Sequence, residues 1–276
     1  MISIGYLGPN GTFSEQAAFS YFNKDKEKYY FIPFSTIQDL IQAVDKGEIS
    51  NGVVPIENSI EGAVNITIDM LTFESELKIQ AEIEIPIKHC LIGYEDFSYN
   101  QIQEVLSHAQ AIAQCRGYLH KNLAHANIVF TDSTAEAVRI ISQKKEAKAA
   151  IGTSFAANFY GLSILDTNIQ DQENNKTRFV VIGKENGKKA RKCKTTIVFS
   201  TENKPGELYK ILNIFALWDI NMTRILSRPS KTDPGGYVFF VDLEGHEEDE
   251  DLRDALTMIK RKTSFYKSLG SYEIVD

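Results

Sequence analysis

Met1-Ile2-Ser3-Ile4-Gly5-Tyr6-Leu7-Gly8-Pro9-Asn10-Gly11-Thr12-Phe13-Ser14-Glu15-Gln16-Ala17-Ala18-Phe19 sets an apolar run, a Gly/Pro/Asn cluster and a second apolar run one after another. Met1 to Leu7 reads as a short buried strand, and Gly8-Pro9-Asn10-Gly11 as the turn that ends it. Thr12 stands three residues before Glu15 and just ahead of an apolar run, a capping box that opens a helix. Strand, glycine turn and helix start in succession mark an α/β chain. They also make an anion site, because free backbone N–H groups and the positive end of the helix dipole face the loop beside the hydroxyls of Thr12 and Ser14. The Gly-x-x-Gly spacing lacks the third glycine and the downstream acid of a dinucleotide fingerprint.

The plan repeats downstream. A strand Tyr30 to Pro33 is followed by a Ser35-x-x-Gln38 box and a helix with Ile37, Leu40, Ile41 and Val44 on one face, stopped by Gly47. Strand Gly52 to Ile56 then leads into Glu57-Asn58-Ser59-Ile60-Glu61-Gly62 and a helix carrying Val64, Ile68 and Leu71. That polar run lies at the carboxyl edge of a sheet, where open α/β folds place ligands; a plain helix cap by Asn58 or Ser59 explains it as well. From Leu77 to Gly93 the pattern turns to period two, predicting one long strand able to cross between lobes near Glu82. His89 inside it has no ligating residue at i+2 or i+4, and reads as a core histidine or one supporting a site from behind. Further strands are expected at Glu104 to Ser107, Asn127 to Thr131 and Ala149 to Ile151, with helices from His108 to Leu119, after Ser133-x-x-Glu136 and over Ser154 to Tyr160, and a return connection from Ser163 to Ile169. Two α/β lobes, one about 1–81 with 168–185 and the other about 82–167, make a hinged clamp whose helix starts suit a ligand with more than one negative charge.

The polar loop Gln170 to Lys176 runs into the apolar strand that starts at Thr177-Arg178-Phe179. A hydroxyl and a guanidinium are thereby fixed at a strand edge: Thr177 could donate a hydrogen bond, and Arg178 could hold a carboxylate with two prongs, unless both merely open a strand at the surface. After a basic connector over 186–194, the order from Thr195 to the C-terminus is strand, helix, strand, strand, helix, strand. This is the ferredoxin-like βαββαβ plan, in a unit of about 80 residues that can stand as a domain.

Length and composition agree with two domains. The chain has 276 residues, 43% hydrophobic and 24% charged, which excludes a disordered polymer. Seven acids between Glu244 and Asp254, against Arg253, carry −6 of the net −7, so no broad basic field exists for nucleic acid; Lys188 to Lys194 is better explained as a charged connector. No apolar run is long enough for a membrane span, and Met1 to Tyr6 lacks the features of a signal peptide, so a cytoplasmic location is expected. Cys90, Cys115 and Cys193 are odd in number and far apart, which suits reduced structural thiols and neither a disulfide framework nor a metal site.

Five motifs in order carry a family resemblance: Gly8-Pro9-Asn10-Gly11-Thr12-Phe13-Ser14, Pro55-Ile56-Glu57-Asn58-Ser59-Ile60-Glu61-Gly62, Ser107-His108-Ala109-Gln110-Ala111-Ile112-Ala113-Gln114-Cys115, Ser133-Thr134-Ala135 and Asn175-Lys176-Thr177-Arg178-Phe179. Together, over nearly the whole chain, they resemble the prephenate dehydratases. The resemblance implies a catalytic domain over 1–185, two-lobed like type II periplasmic binding proteins, and an ACT regulatory domain over 195–276. It implies a carbon–oxygen lyase that turns prephenate into phenylpyruvate on the route to phenylalanine, needs no cofactor or metal, forms a homodimer or homotetramer, and is inhibited by phenylalanine. It also implies Thr177 as the group that assists the departing hydroxyl. Thr12, Ser14, Asn58, Ser59, Ser133, Thr134, Arg178 and Phe179 would then bind substrate, with His108 and Glu61 shaping the site. Phenylalanine is expected at Asn203, Pro205, Gly206, Glu207, Leu208, Leu226, Ser227, Arg228 and Pro229. Ala109 stands where the family commonly has proline, and Leu226 where it has glutamate; the second change puts effector contacts in question. Arogenate dehydration, solute binding and amino-acid sensing are the competing readings.

Overall fold

The computed structural model describes residues 1–22, 28–231 and 236–275. Strand β1 (Ile2–Leu7) and helix α1 (Phe13–Phe22) flank the glycine turn. Gly11 sits there at φ +91°, and a Cβ on it would lie 2.8 Å from the Ala156 Cβ, so a side chain is excluded twice over. Next come β2 (Tyr29–Phe34), α2 (Ile37–Lys46), β3 (Asn51–Asn58), β4 (Gly62–Ala63) and α3 (Asn65–Asp69), which runs into a π-helical turn at Met70–Glu74. The expected cap at Ser35 is replaced by Thr36, whose hydroxyl accepts from the Asp39 N–H at 3.0 Å. Leu40, Ile41 and Val44 are fully buried as their spacing predicts, and Gly47 at φ +77° ends the helix.

The single strand expected from Leu77 to Gly93 is two, β5 (Lys78–Pro86) and β6 (Cys90–Gly93). Pro86 has no N–H for a ladder. Beyond it, the Ile87 N–H donates to the Asn175 carbonyl at 2.8 Å and the His89 N–H to the Gln170 side chain at 2.9 Å, so the chain leaves one sheet before entering another. Then follow β7 (Glu104–Ser107), α4 (Ala109–Gln114), α5 (Arg116–Asn122), β8 (Asn127–Phe130), α6 (Thr134–Ser142), β9 (Lys148–Gly152), α7 (Ser154–Tyr160), β10 (Ser163–Thr167) and β11 (Lys176–Gly183). The helix expected from His108 to Leu119 is broken at Cys115, whose φ of −113° and ψ of 18° are not helical. The expected return connection holds β10, antiparallel to β6. The C-terminal order is as read: β12 (Cys193–Ser200), α8 (Glu207–Leu217), β13 (Met222–Pro229), β14 (Tyr237–Glu244), α9 (Glu250–Lys262) and β15 (Phe265–Val275). The expected turn from Pro229 to Gly236 lies partly outside the described residues.

The chain divides into two compact units. The first comprises Met1–Leu40, Glu57–Gly62 and Glu84–Arg178. It contains the parallel pair β1–β2 and a five-stranded sheet in the order β10-β6-β9-β7-β8. Period-two alternation sends Cys90 and Ile92 to one face with Leu106, Val138 and Ala157, and Leu91 to the other with Val105, Leu119 and Ile151. A sheet covered on both faces reads as a continuous apolar run, which is why β9 is Lys148-Ala149-Ala150-Ile151-Gly152.

The second unit comprises Ile41–Ile56, Ala63–Ile83 and Phe179–Asp276. Its strands lie in the order β13-β14-β12-β15-β5-β11-β3, and the last residues of β15 pair in parallel with Ala81 to Ile83 of β5. Ile197, Phe199, Val241 and Leu243 of this sheet pack on Ile211 and Phe215 of α8 and on Leu252 and Ile259 of α9. Each such side chain contributes about 1.5–3 kcal/mol by leaving water. Glu250 and Asp251 open α9 and Lys260, Arg261 and Lys262 close it, matching both ends of the helix dipole and giving the acidic run a structural role. The basic run is partly neutralised by acids, Lys189 on Asp249 at 2.8 Å and Lys194 on the buried Glu82 at 2.6 Å. Among the described residues no helix is long and apolar enough to cross a membrane, and no three metal-ligating side chains converge. The three cysteines are free and buried; burial pushes the Cys115 thiol up to about 12 and the Cys90 thiol upward.

Candidate functional site

The first unit holds a cavity of about 280 Å³ at the ends of β1, β3 and β7 and the start of β11. The helix starts of α1, α4 and α6 line it through Phe13 and Ser14, through His108 and Gln110, and through Ser133 and Thr134. Each local sequence explains its helix start. The Thr12 hydroxyl donates to the Leu7 carbonyl at 2.9 Å and accepts from the Glu15 N–H at 3.2 Å, the His108 ring accepts from the Gln110 N–H at 3.3 Å, and the Ser133 hydroxyl accepts from the Glu136 N–H at 3.0 Å. The carboxylate of Glu15 does not return to Thr12 as in a capping box. It accepts from the Gly11 N–H at 2.5 Å and the Tyr6 hydroxyl at 2.9 Å; burial, then the charge of Glu15, pushes the Tyr6 phenol well above its ordinary range. Thr12 is thus committed to holding the turn, whereas Ser14, 6% exposed, has no hydrogen-bond partner among the described residues.

Across the cavity a chain of carboxamides fixes its own polarity. The Asn58 Oδ1 accepts from the backbone N–H groups of Ile60 at 2.9 Å and Glu61 at 3.0 Å. Backbone N–H groups can only donate, so the oxygen must face them and Nδ2 must point the other way. Asn58 Nδ2 therefore donates to Thr177 Oγ1 at 2.9 Å and to Asn175 Oδ1 at 2.9 Å. Asn175, 2% exposed, must in turn donate through Nδ2 to Gln114 Oε1, 3.2 Å away, where His89 Nε2 also arrives at 2.9 Å. Two backbone amides thus set the direction of every hydrogen bond as far as His89. Burial lowers the pKa of His89, only partly offset by its bond to Gln114.

Of the residues expected to act, Thr12, Ser14, Asn58, His108, Ser133, Thr134 and Thr177 line this one cavity. Ser59 does not. Its hydroxyl accepts from the Lys176 N–H at 3.0 Å and so ties the loop after β3 to the start of β11. Glu61 lines a neighbouring space of about 250 Å³ together with Gln110, Gln114 and Asn175. Arg178 is turned to Glu57, Nη1 to Oε2 2.6 Å, and Phe179 is 2% exposed; neither lines the cavity. Gln114, Asn175, Gln110 and Asp132 line it without having been expected, and His89, read as a core histidine or one supporting a site from behind, reaches its wall. A clue existed for Asn175 and Gln114: both are uncharged amides inside two of the five motifs, Ser107 to Cys115 and Asn175 to Phe179. In the second unit, Gly206 caps α8 at φ +84°, Glu207 pairs with Lys210 at 2.6 Å, and Arg228 is held by both oxygens of Asp69 at 2.9 and 2.8 Å.

An α/β part with an anion-receptive wall of hydroxyls and amides, followed by a βαββαβ module, is the class of protein that fold and site define. Residues 4–187 match the family described as prephenate dehydratase, and residues 195–257 match the ACT domain. The bifunctional chorismate mutase/prephenate dehydratase of Aquifex aeolicus is 45% identical over 271 residues, 98% of this chain and 73% of that one. The prephenate dehydratase of Methanocaldococcus jannaschii is 43% identical over 275 residues, 98% of each chain. The crystal structure of prephenate dehydratase from Arthrobacter aurescens in complex with L-Phe superposes with a TM-score of 0.89 at 32% identity, over 99% of this chain and 90% of that one. The chain belongs to the prephenate dehydratase family.

Proposed function

We infer that this chain converts prephenate to phenylpyruvate, carbon dioxide and water. The observation that carries the reading is the 2.9 Å bond from Asn58 Nδ2 to Thr177 Oγ1. Because Asn58 is the donor there, the single hydroxyl proton of Thr177 is left for another partner, and Thr177 lines the cavity. Prephenate carries two carboxylates and a ring hydroxyl. Loss of one carboxylate as CO2 pushes an electron pair toward the ring, the C–O bond breaks, and the departing hydroxide takes up a proton, giving an aromatic product. Aromatisation supplies the driving force, so the protein has to orient the substrate and ease the exit of the hydroxide. An alcohol is too weak an acid to give up its proton first. The hydrogen bond from Thr177 strengthens as charge grows on the leaving oxygen, help worth roughly 10²–10⁴ in rate. In this reading Ser14, Ser133 and Thr134, which line the cavity at the starts of α1 and α6, take the carboxylates.

The reading includes feedback inhibition by phenylalanine at Asn203 to Leu208 and Leu226 to Pro229. It is supported by the ACT match and by the L-Phe complex of the Arthrobacter aurescens protein. It also takes 1–185 as the two-lobed catalytic part and 195–276 as the regulatory part of a cytoplasmic homodimer or homotetramer, which light scattering tests. Asp132 in the wall favours one alternative, arogenate, whose ammonium a carboxylate could meet. Phenylpyruvate formation by the purified protein, with and without phenylalanine, and the ratio of kcat/KM on prephenate and arogenate, decide these points. Absence of turnover above the uncatalysed rate on both substrates would refute the reading.

A further inference from the structure

We propose that His89 is a positioning residue of this site, whose Nε2–H holds the Gln114 carboxamide so that its amino group, and not its oxygen, is free for a substrate carboxylate. The proposal rests on the dehydratase reading. His89 is 2% exposed and immobilised from three sides: its N–H donates to Gln170 Oε1 at 2.9 Å, its carbonyl accepts from the Ile169 N–H at 3.1 Å, and its ring meets Phe13 edge to face at 5.9 Å. Asn175 Nδ2 already donates to Gln114 Oε1, so that oxygen is an acceptor and His89 must reach it with a protonated Nε2. The depressed pKa agrees with a neutral ring whose Nδ1 is bare, and Nδ1 has no partner among the described residues.

Gln114 Oε1 then has both lone pairs filled. Its Nε2 is buried and has no partner among the described residues, in a side chain that lines both the 280 Å³ cavity and the neighbouring 250 Å³ space. An orphaned amide donor in such a wall is what an anionic substrate group would satisfy. Without His89, Gln114 keeps one restraint instead of two, and a flipped amide would present its oxygen to a carboxylate.

The test uses the full-length protein with prephenate as substrate. His89→Leu should lower kcat/KM about tenfold, the worth of one net hydrogen bond, with the change mostly in KM because Gln114 would grip ground state and transition state alike. His89→Gln, which can place an N–H near the lost Nε2, should recover most of it. In a Gln114→Leu background, His89→Leu should cost nothing further, whereas a histidine that only fills space would give independent losses. Should the leucine variant fail to fold, 15N chemical shifts of histidine in the wild-type protein answer alone: a neutral ring protonated at Nε2 is expected at pH 7. An Nδ1-protonated or doubly protonated ring, additive losses, or a glutamine variant as impaired as the leucine one would overturn the role of His89 while leaving the reaction in place. Wild-type protein that makes no phenylpyruvate would overturn both.

Discussion

Replacing Asn58 by aspartate changes one nitrogen for one oxygen and should disable the site more than deleting the side chain does. One oxygen of the introduced carboxylate can still accept from the N–H groups of Ile60 and Glu61, so the loop after β3 keeps its shape. The other oxygen faces Thr177 at about the 2.9 Å that Nδ2 occupies, and it can only accept. The Thr177 proton is then drawn to a carboxylate and withdrawn from the substrate. Losing a positioned donor at a site of developing charge costs about 10²–10³ in kcat. The added charge also repels a substrate carboxylate: at about 5 Å and an effective dielectric constant near 20 this is roughly 3 kcal/mol, some two further powers of ten, appearing in KM. Asn58→Asp should therefore lower kcat/KM by about 10⁴, with some loss of melting temperature because the new oxygen also meets the Asn175 Oδ1 that Nδ2 serves at 2.9 Å, and Asn58→Ala should lower kcat/KM by about 10²–10³. Steady-state rates of phenylpyruvate formation check both. An aspartate variant within tenfold of wild type, or more active than the alanine variant, would refute the assigned direction of the Asn58–Thr177 bond.

Thr177→Val keeps the shape and removes the donor, so kcat should fall about 10²–10⁴ with KM changed little, while Thr177→Ser stays within about tenfold of wild type; an unchanged kcat in the valine variant removes Thr177 from the reaction. Gly11→Ala should lower the melting temperature by several degrees, at about 2–4 °C per kcal/mol, because the φ of +91° costs about 1–2 kcal/mol and the overlap with Ala156 adds to it. Arg228→Ala should weaken inhibition by phenylalanine while leaving uninhibited kcat near wild type, and a urea-unfolding cycle with Asp69→Ala should show about 1–2 kcal/mol of coupling from the paired contacts at 2.9 and 2.8 Å. Burial lowers the pKa of His89, so between that value and its unfolded value of 6.5 the unfolded chain binds more protons. Stability should consequently fall as pH drops below about 6.5 and be unaffected by this group above it; the slope should flatten in His89→Gln, as urea midpoints against pH will show.

What could be read in advance was whatever depends on neighbours in sequence. The strand, glycine turn and helix at Met1 to Phe22, the caps at Thr12 and Ser133, and the βαββαβ order from β12 to β15 all follow from local pattern. The break in the run from Leu77 to Gly93 was not legible, because alternation reports which faces are buried and not which sheet buries them; Ile79 to Ile85 and Cys90 to Ile92 are buried in different sheets. At the site, Thr177 and Asn58 were legible as polar residues at strand ends. The Arg178–Glu57 pair was not legible, since nothing within a few residues announces a partner 121 positions away. The carboxamides Gln114 and Asn175 escaped for the same reason: each looks inert alone, and only their meeting 61 positions apart gives them a direction.

Among the described residues, the wall around Thr177 contains no lysine or arginine, although the inferred substrate carries two negative charges. A guanidinium on the carboxylate that leaves as CO2 would stabilise the charge most strongly before reaction and less as the charge drains into the ring, and so would raise the barrier. Helix starts and hydroxyls offer partial charges, equivalent to about half a unit at each helix end, enough to bind and orient without holding that carboxylate back. The strongest assistance is then best placed where charge grows, on the departing oxygen, and there the amide chain leaves one oriented hydroxyl proton. Pairing Arg178 with Glu57 is consistent with this division, because it keeps a full positive charge compensated beside a site that works through graded ones.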